Sequence, residues 1–232
     1  MDGAQHPEGP GSRLGQNHAV LMLGAPGAGK GTQSREVSRK FGIPQISTGE
    51  MLRDAIHNKT ELGRKVQPVI ESGGLVPDGL VCELVEQRTA EADCKRGFIL
   101  DGFPRNLEQA LFLDRLLEAR GCNTPVALDI QVGEDLLIKR LTGRRICPKC
   151  GTAYNIYFNP PQNDELCDKE GAALTYRSDD SEEAIRVRLQ EYETQTKPLV
   201  DHYRSLGVLH EIDGSCPARD VTSEIFRLLR TS

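Results

Sequence analysis

The chain has 232 residues, of which 27 % are charged and 38 % hydrophobic, and its formal net charge at pH 7 is −5. This length allows one sizeable core that carries small inserted segments. The acidic balance argues against nucleic acid as a partner, because duplex binding needs dense positive charge facing the phosphates. No apolar run approaches the roughly 20 residues that cross a bilayer, so we expect no membrane partner.

Residues 1–17 are rich in Gly, Pro and polar side chains and lack the apolar segment of a signal peptide. They predict a flexible N-terminal leader and a protein that stays in the cytoplasm. The rest of the chain shows no internal repeat, no exposed heptad pattern and no long apolar surface stripe. We therefore expect a monomer.

Buried strands and helices alternate along residues 18–232. Aliphatic runs that end in Gly, Asp or Pro predict strands at 19–24, 43–47, 98–101, 126–132 and 208–212. Helical spacing of apolar residues predicts helices at 31–41, 80–92, 106–120, 134–144 and 181–206. This alternation predicts an α/β protein in which helices cover both faces of a five-stranded parallel sheet in three α/β/α layers.

Two stretches interrupt the alternation. Residues 47–76 have a helical pattern in two short segments that end at Gly73-Gly74, and residues 143–180 combine cysteines, glycines, prolines and four aromatics. The composition of residues 143–180 is unlike that of the rest of the chain. We interpret both stretches as small subdomains inserted in one core.

The strongest local motif is Gly24-Ala-Pro-Gly27-Ala-Gly29-Lys30-Gly31-Thr32, where an apolar strand ends and a helix begins. Such a turn directs backbone N–H groups and a helix N-terminus at phosphate oxygens, and Lys30 adds a full charge. The motif therefore predicts a P-loop that binds a nucleotide. P-loops usually place Ser or Thr directly after Lys, whereas Gly31 stands there in this chain, so Thr32 is the nearest hydroxyl for a magnesium ion.

Asp101 ends the predicted strand 98–101 and is followed by Gly-Phe-Pro-Arg105. The carboxyl edge of a parallel sheet is where α/β proteins bind ligands, so Asp101 is a candidate to orient water bound to magnesium. A carboxylate that only caps the next turn is the alternative.

Arginines form a third candidate group, because planar guanidinium groups suit the spread charge of a phosphoryl group in transfer. Arg140 and Arg144 stand four apart in a predicted helix, so we expect them on one face. Each arginine taken singly is better explained as a surface residue. The sequence does not show whether these arginines converge on the P-loop.

A fourth pattern is Cys147-Pro-Lys-Cys150, followed by Cys167-Asp-Lys-Glu170. In a reducing compartment, cysteines at this spacing suggest a metal before a disulfide. Three thiolates and one carboxylate can close a tetrahedral zinc site, with Glu170 as the least certain ligand and Asp168 as its substitute. Unligated thiols are the alternative.

Several motifs in one order closely resemble the adenylate kinase family. They are Gly24 to Thr32, Ser47-Thr-Gly-Glu-Met-Leu-Arg53, Gly74-Leu-Val-Pro-Asp78, Asp101-Gly-Phe-Pro-Arg105 and Arg140-Leu-Thr-Gly-Arg144. The stretches Asn159-Pro-Pro161 and Tyr176-Arg-Ser-Asp-Asp180 are similar to the long, bacterial-type form with an extended lid. The resemblance implies transfer of a phosphoryl group from MgATP to AMP, which gives two ADP.

The resemblance also implies roles for particular residues. Residues 47–76 would form an AMP-binding subdomain and residues 143–180 a lid, whose zinc site usually has Cys or Asp where this chain has Glu170. The residues expected to bind ATP are Gly27, Ala28, Gly29, Lys30, Gly31, Thr32, Arg140, Arg144, Ala153, Tyr154 and Cys216. Those expected to bind AMP are Thr48, Arg53, Gly74, Leu75, Val76, Gly102, Phe103, Pro104, Arg105, Gln109, Arg177 and Arg188. The catalytic set is Lys30, Asp101, Arg105, Arg140, Arg144, Arg177 and Arg188.

Three other functions compete with this one. The nearest is a kinase for another nucleoside monophosphate, or a phosphotransferase that uses GTP as the donor. A nucleotide-controlled switch or ATPase would leave the second set of phosphate-binding residues, at Arg53 and Arg105, without a purpose. A zinc-finger nucleic-acid module would need a basic recognition helix, which the acidic chain does not offer.

Overall fold

A computed structural model describes residues 18–122 and 124–231, so the predicted leader at 1–17 lies outside the described residues. Seven strands are present in this part of the chain: β1 (His18–Leu23), β2 (Gln45–Ser47), β3 (Gly97–Asp101), β4 (Val126–Gln131), β5 (Arg144–Ile146), β6 (Ala153–Asn155) and β7 (Leu209–Asp213). Five of them form one parallel sheet in the order β2-β3-β1-β4-β7. β5 and β6 form a separate antiparallel pair.

Nine α-helices occur in the described residues: α1 (Lys30–Phe41), α2 (Thr48–His57), α3 (Glu61–Glu71), α4 (Asp78–Thr89), α5 (Leu107–Ala119), α6 (Glu134–Thr142), α7 (Glu182–Glu191), α8 (Pro198–Ser205) and α9 (Ala218–Thr231). Short 3-10 helices lie at Ala92–Arg96 and Ser178–Asp180, and a π-helical turn lies at Tyr192–Thr196. No helix of the described residues is long and apolar enough to span a membrane.

The central strand β1 is buried on both faces. Leu21 and Leu23 belong to one apolar cluster, whereas Val20 and Met22 belong to another. Because side chains alternate along a strand, these two clusters lie on opposite faces of the sheet. The first cluster takes residues from α2, α3, α4, α5 and α8, and the second takes residues from α1, α6 and α9. The predicted three-layer fold with a five-stranded parallel sheet is therefore confirmed.

The helix predicted at 134–144 is wrong at its end. α6 stops at Thr142, and Arg144 begins β5, so Arg140 and Arg144 do not share a helix face. Tertiary bonds replace the helical ones at this point, because the Asn155 side chain donates to the Arg140 carbonyl at 2.8 Å and the Ile156 N–H donates to the Gly143 carbonyl at 3.0 Å.

The single helix predicted at 181–206 is also wrong. It divides into α7, the π-helical turn and α8, which begins at Pro198. Proline has no N–H to continue the helical bonding pattern. The chain instead makes a wider turn in which the Lys197 N–H donates to the Tyr192 carbonyl at 2.8 Å.

The two interrupting stretches have different internal supports. α2 and α3 form a helical hairpin that places Leu52, Val66 and Ile70 in the core of the sheet. The stretch around β5 and β6 has a small cluster of its own, in which Cys147, Tyr154 and Cys167 are buried. A segment with so little apolar core needs another stabilising interaction.

We predict that Gly63→Ala destabilises the protein. A Cβ at Gly63 would lie 2.0 Å from the Ala55 carbonyl oxygen, so α3 could not approach α2 as closely. Such overpacking lowers the free energy of unfolding by about 1–3 kcal/mol. Thermal and urea unfolding measure the change.

Gly79→Ala is the matched control, because a Cβ on this α4 residue meets nothing within 4 Å. Alanine is the better helix former, so the control should gain up to about 1 kcal/mol. Equal unfolding midpoints for the two variants would contradict the close approach of α2 and α3.

Candidate active site

A cavity of about 900 Å³ lies beside the P-loop at the carboxyl edge of the sheet. Its walls come from the loops after β1, β3 and β7, from the α2–α3 hairpin and from the segment around β5 and β6. In a parallel sheet, loops that follow neighbouring strands emerge at the same edge and meet there. The fold therefore brings together motifs that are far apart in the chain.

The cavity wall contains all but two of the residues expected to bind ATP or AMP or to act in catalysis. They are Gly27, Ala28, Gly29, Lys30, Gly31, Thr32, Thr48, Arg53, Gly74, Leu75, Val76, Asp101, Gly102, Arg105, Gln109, Arg140, Arg144, Ala153, Tyr154, Arg177, Arg188 and Cys216. Phe103 and Pro104 lie outside this wall. Both are buried, and Phe103 packs in the core of the sheet, where it supports the loop that carries Arg105.

The P-loop passes close to the backbone of its neighbours. A Cβ at Gly24 would lie 2.5 Å from the Ile130 carbonyl oxygen, and Gly24 has a φ of +126°. Only glycine adopts this geometry at little cost. α1 then begins with Gly29 as its N-cap residue, so no side chain accepts a hydrogen bond from the first turn. The helix N-terminus is left to attract an anion.

Lys30 lies at the centre of the P-loop. Its ammonium donates to the Gly24 carbonyl at 2.7 Å and to the Ala25 carbonyl at 2.9 Å. Burial, reinforced by nearby arginines and opposed by Asp101, lowers the pKa of Lys30 to about 8. A phosphate beside Lys30 would reverse this shift, because it would offset the desolvation of the ammonium.

The cavity is basic although the chain is acidic. Eight basic side chains line it, and only three carboxylates do: Lys30, Arg35, Arg53, Arg105, Arg140, Arg144, Arg177 and Arg188 against Glu50, Asp101 and Asp179. Burial lowers the pKa of Arg53, Arg105 and Arg177, and neighbouring cations add to each shift. So many like charges at one place favour a ligand with several negative charges.

Two aspartates partly neutralise these arginines. The Asp180 carboxylate accepts two hydrogen bonds from Arg144 and one from Arg188, the latter at 2.8 Å. The Asp179 carboxylate lies 3.1 Å from Arg188 and 3.8 Å from Arg53. Burial opposes ionisation of Asp179, but these arginines lower its pKa below the usual value. The aspartates thus join α2, β5 and α7 through charge.

Arg140 connects the two loops that border the cavity near Cys216. Its guanidinium donates to the Ala28 carbonyl at 3.2 Å and to the Gly214 carbonyl at 2.9 Å. The lining of the cavity continues from Gly214 to Ala218 and across to Ala153 and Tyr154. This end of the cavity therefore adjoins both the P-loop and β6.

Arg105 is held on the other side of the cavity by its own backbone. Its N–H donates to the Gln109 side-chain oxygen at 2.8 Å, and its carbonyl accepts from the Thr196 hydroxyl at 2.7 Å. Its guanidinium donates to the Gly102 carbonyl, which also accepts from Thr48, both at 2.9 Å. Arg105 is thus fixed before any ligand arrives.

No role was predicted from the sequence for Asp179, Asp180 or Thr196. Both aspartates belong to the stretch Tyr176-Arg-Ser-Asp-Asp180, on which the family resemblance partly rests. Their closeness to Arg177 in the sequence could therefore have indicated that they pair with arginines of the site. Thr196 carried no signal, because it is 91 positions from Arg105 and the π-helical turn that orients it was not predicted.

The three cysteines of the predicted metal site come together. Their sulfur atoms lie within 4.8 Å of one another, and this group includes neither Glu170 nor Asp168. The two halves of the site repeat one backbone pattern. The Gly151 N–H donates to the Cys147 carbonyl at 3.0 Å, and the Gly171 N–H donates to the Cys167 carbonyl at 2.8 Å. Such turns direct backbone N–H groups at a thiolate.

Hydrogen bonds favour the ionised form of Cys167. Burial opposes ionisation, but bonds from the Tyr154 hydroxyl and from the backbone of Glu170 and Lys169 lower the pKa of the thiol to about 6. A thiolate is the form that binds a metal. The donor set present at this position therefore suits zinc.

A glycine-rich loop at a helix N-terminus, facing a basic cavity at the edge of a parallel sheet, is characteristic of P-loop nucleotide-binding proteins. This chain belongs to that class by its fold and its site. In a comparison of sequences, the family model described as adenylate kinase matches residues 22–208 of this chain. The chain is a member of the adenylate kinase family.

Curated relatives agree over nearly the whole chain. The adenylate kinases of Lachnospira eligens and Archaeoglobus fulgidus are each 46 % identical over 210 residues, which are 90 % of this chain and 99 % and 97 % of those proteins. That of Moorella thermoacetica is 48 % identical over 196 residues, which are 84 % of this chain and 90 % of that protein.

We predict that ATP binding takes up a proton above about pH 8. Bound phosphate should raise the pKa of Lys30 from about 8 toward its ordinary value, so uptake occurs between these two values. Below pH 8 Lys30 is protonated in both states, and the affinity should be flat. Above pH 8 the affinity should fall as the pH rises.

Calorimetric titrations at pH 7 and pH 9, in buffers of different ionisation enthalpy, count the protons. Lys30→Met is the control, because it removes the titrating group from the P-loop. Equal proton uptake by the variant and the unsubstituted protein at pH 9 would show that Lys30 is not the group responsible.

Proposed function

We propose that this chain transfers the γ-phosphoryl group of MgATP reversibly to AMP, giving two ADP, within the cavity beside the P-loop. The observation that carries this proposal is that Arg53 and Arg105 border the same cavity as Lys30. Two sets of phosphate-binding groups in one cavity serve a donor and an acceptor. A simple ATPase or switch needs only one set.

The donor would occupy the P-loop end. Backbone N–H groups from Gly27 to Thr32 and the Lys30 ammonium would bind the β- and γ-phosphates. The base would lie between Arg140, the backbone near Ala153 and Tyr154, and the loop that carries Cys216. The hydrogen bonds of Arg140 to the Ala28 and Gly214 carbonyls support this placement, because they fix its guanidinium between the two loops.

The acceptor would occupy the opposite end. Arg53 and Arg105 would bind the phosphate of AMP, with Thr48 and Gly102 beside them. The base would face Gln109 and the backbone from Gly74 to Val76, where the apolar walls come from Leu52, Ile70, Val76 and Val81. A flat aromatic base suits such walls.

Transfer requires no general base, because the attacking phosphate oxygen of AMP is already ionised near neutral pH. Rate acceleration would come from in-line alignment and from neutralisation of the charge that spreads over the transferring group. Lys30, Arg140 and Arg144 would act from the donor side and Arg105, Arg177 and Arg188 from the acceptor side. Magnesium, which enters with ATP, would supply further charge neutralisation beside Asp101 and Thr32.

Water competes with AMP for the γ-phosphoryl group. We propose that residues 47–76 act as the AMP-binding subdomain and residues 143–180 as a lid, and that both close over the nucleotides. The ion pairs of Asp179 and Asp180 support this assignment, because they join arginines from both segments. Phosphates would replace the carboxylates as partners of these arginines.

A coupled assay of ADP formation, with ATP and each of AMP, GMP, CMP and UMP, tests the function. We expect transfer to AMP that depends on magnesium. Arg53→Met should reduce kcat/KM for AMP by about 100-fold or more, because a charge-assisted contact to the acceptor is lost. Arg64→Met, an exposed residue of α3, is the matched control and should change little.

Release of phosphate without ADP formation from AMP would support an ATPase instead. Preference for another monophosphate, or for GTP as the donor, would identify one of the neighbouring kinases. Either result would overturn the assignment of AMP and ATP as the substrates.

We propose that zinc binds to Cys147, Cys150 and Cys167, with Glu170 as the fourth ligand. Glu170 takes the same position after Cys167 as Cys150 takes after Cys147, in turns with the same backbone bonding. A bound metal would stabilise this small segment directly. Its role is structural, since Cys147 and Cys167 belong to the segment's own core and none of the three cysteines lies in the cavity wall.

We predict that Cys150→Ser removes the metal and lowers the midpoint of thermal unfolding. For a chain of this size the midpoint falls by roughly 2–4 °C for each kcal/mol lost. Metal analysis and calorimetry measure the two effects, and a chelator should reproduce them with the unsubstituted protein. Cys82→Ser, in α4, is the control and should keep the metal. Retention of stoichiometric zinc by Cys150→Ser would exclude this ligand set.

We also propose that the protein acts as a monomer in the cytoplasm. Outside the proposed zinc site, Cys82, Cys94 and Cys216 form no disulfide within the described residues, which is typical of a protein in a reducing compartment. Exposed large apolar side chains of the described residues are spread over α5, α6, α7 and the segment around β6.

A further inference from the structure

We propose that Asp78 determines the choice of acceptor base by fixing the orientation of the Gln109 side-chain amide. Asp78 is not part of the cavity wall, so it acts through Gln109 as a positioning residue. The inference rests on the proposed function, because it concerns the base that the acceptor end of the cavity selects.

The Gln109 amide is held from two sides. Its Nε2 donates to Asp78 Oδ1 at 2.6 Å, and its Oε1 accepts from the Arg105 N–H at 2.8 Å. A carboxylate oxygen accepts and a backbone N–H donates, so only one of the two amide orientations satisfies both partners. Gln109 is 2 % exposed, and a reversed amide would leave two buried mismatches.

Asp78 is itself immobilised. The Asn106 side chain donates to both carboxylate oxygens, at 2.9 and 3.1 Å. Asn106 is the N-cap residue of α5, where its side-chain oxygen accepts from the Gln109 backbone N–H at 2.9 Å. The orientation of the amide is therefore fixed by the starts of α4 and α5, before any nucleotide binds.

The fixed amide has one donor and one acceptor left for a ligand. Oε1 has two lone pairs and Nε2 has two hydrogens, and the internal bonds use one of each. Adenine presents an exocyclic N6–H donor beside a ring-nitrogen acceptor, which complements this pair. A 6-oxopurine presents an O6 acceptor beside an N1–H donor, which is the reverse arrangement.

The surroundings make this difference effective. Leu52, Ile70, Val76 and Val81 line the same cavity as Gln109. A mismatched polar pair between apolar walls has little water to bond with, so the mismatch costs binding free energy. With the amide locked, AMP should be preferred over IMP. IMP is the informative competitor because it differs from AMP only at this edge of the base.

The experiment compares kcat/KM for AMP and for IMP, with saturating MgATP, in the unsubstituted protein and in Asp78→Ala. Without Asp78, a reversed amide would leave one buried mismatch, at the Arg105 N–H, instead of two, so reversal becomes easier. We expect the ratio of kcat/KM for AMP to that for IMP to fall by about tenfold, which is the discrimination one buried hydrogen bond provides. KM for ATP should not change.

Two further variants keep the proposal falsifiable. Asp78→Asn retains an oxygen that can accept from Gln109, so its ratio of kcat/KM for AMP to that for IMP should lie between those of the unsubstituted protein and Asp78→Ala. This variant replaces Asp78→Ala in the test if Asp78→Ala does not fold. Glu83→Ala, an exposed α4 residue whose side chain contacts Gln87, is the matched control and should leave the ratio unchanged.

A parallel fall of kcat/KM for both acceptors, with the ratio preserved, would show that Asp78 only supports the fold and would overturn the proposal. So would an unchanged ratio in a folded Asp78→Ala protein. If the unsubstituted protein did not phosphorylate AMP, the proposed function itself would fail, and that result is distinct from the other two.

Discussion

Electrostatic repulsion among cations clustered around one cavity is the constraint on which the site depends. Eight basic side chains border one cavity at the N-terminus of α1, and burial already lowers the pKa of several of them. Asp179 and Asp180 offset part of this repulsion. Their side chains are only 8 % and 4 % exposed, so they belong to the class of buried ion pairs in which loss of one partner costs about 3–5 kcal/mol. An exposed pair would contribute about 1 kcal/mol or less.

The same ion pairs connect segments that are far apart in the chain. Arg53 of α2 pairs with Asp179, Arg144 at the start of β5 pairs with Asp180, and Arg188 of α7 pairs with both. A nucleotide phosphate offers these arginines a stronger partner than a carboxylate does. Exchange of one anion for another would thus couple nucleotide binding to the closure that we propose for the segments 47–76 and 143–180.

Tyr154 links the cysteine cluster to the cavity. Its ring lines the cavity, while its hydroxyl lies 3.5 Å from the Cys167 sulfur and accepts from the Asp168 N–H at 2.9 Å. A metal that orders the two cysteine turns would therefore also order the wall where the donor base is proposed to lie. At the end of the cavity proposed for the acceptor, hydrogen bonds fix the wall without a metal: Thr196 donates to the Arg105 carbonyl, Gln109 accepts from the Arg105 N–H, and Asp78 accepts from Gln109.

The sequence by itself determined the layers of the fold, the P-loop, the cysteine pattern and the family. These are local signals: apolar runs closed by Gly or Asp give β1 and β3, and the spacing of glycines before Lys30 gives the loop. Only the tertiary structure decided where α6 ends, because the bonds that replace its last helical ones come from Asn155 and Ile156 at the end of β6. It also decided that Thr196 and Asp78 fix Arg105 and Gln109, across 91 and 31 positions of chain. Patterns in a sequence report neighbours along the chain, whereas the partner of a buried polar group is set by packing between elements that meet only in the folded protein.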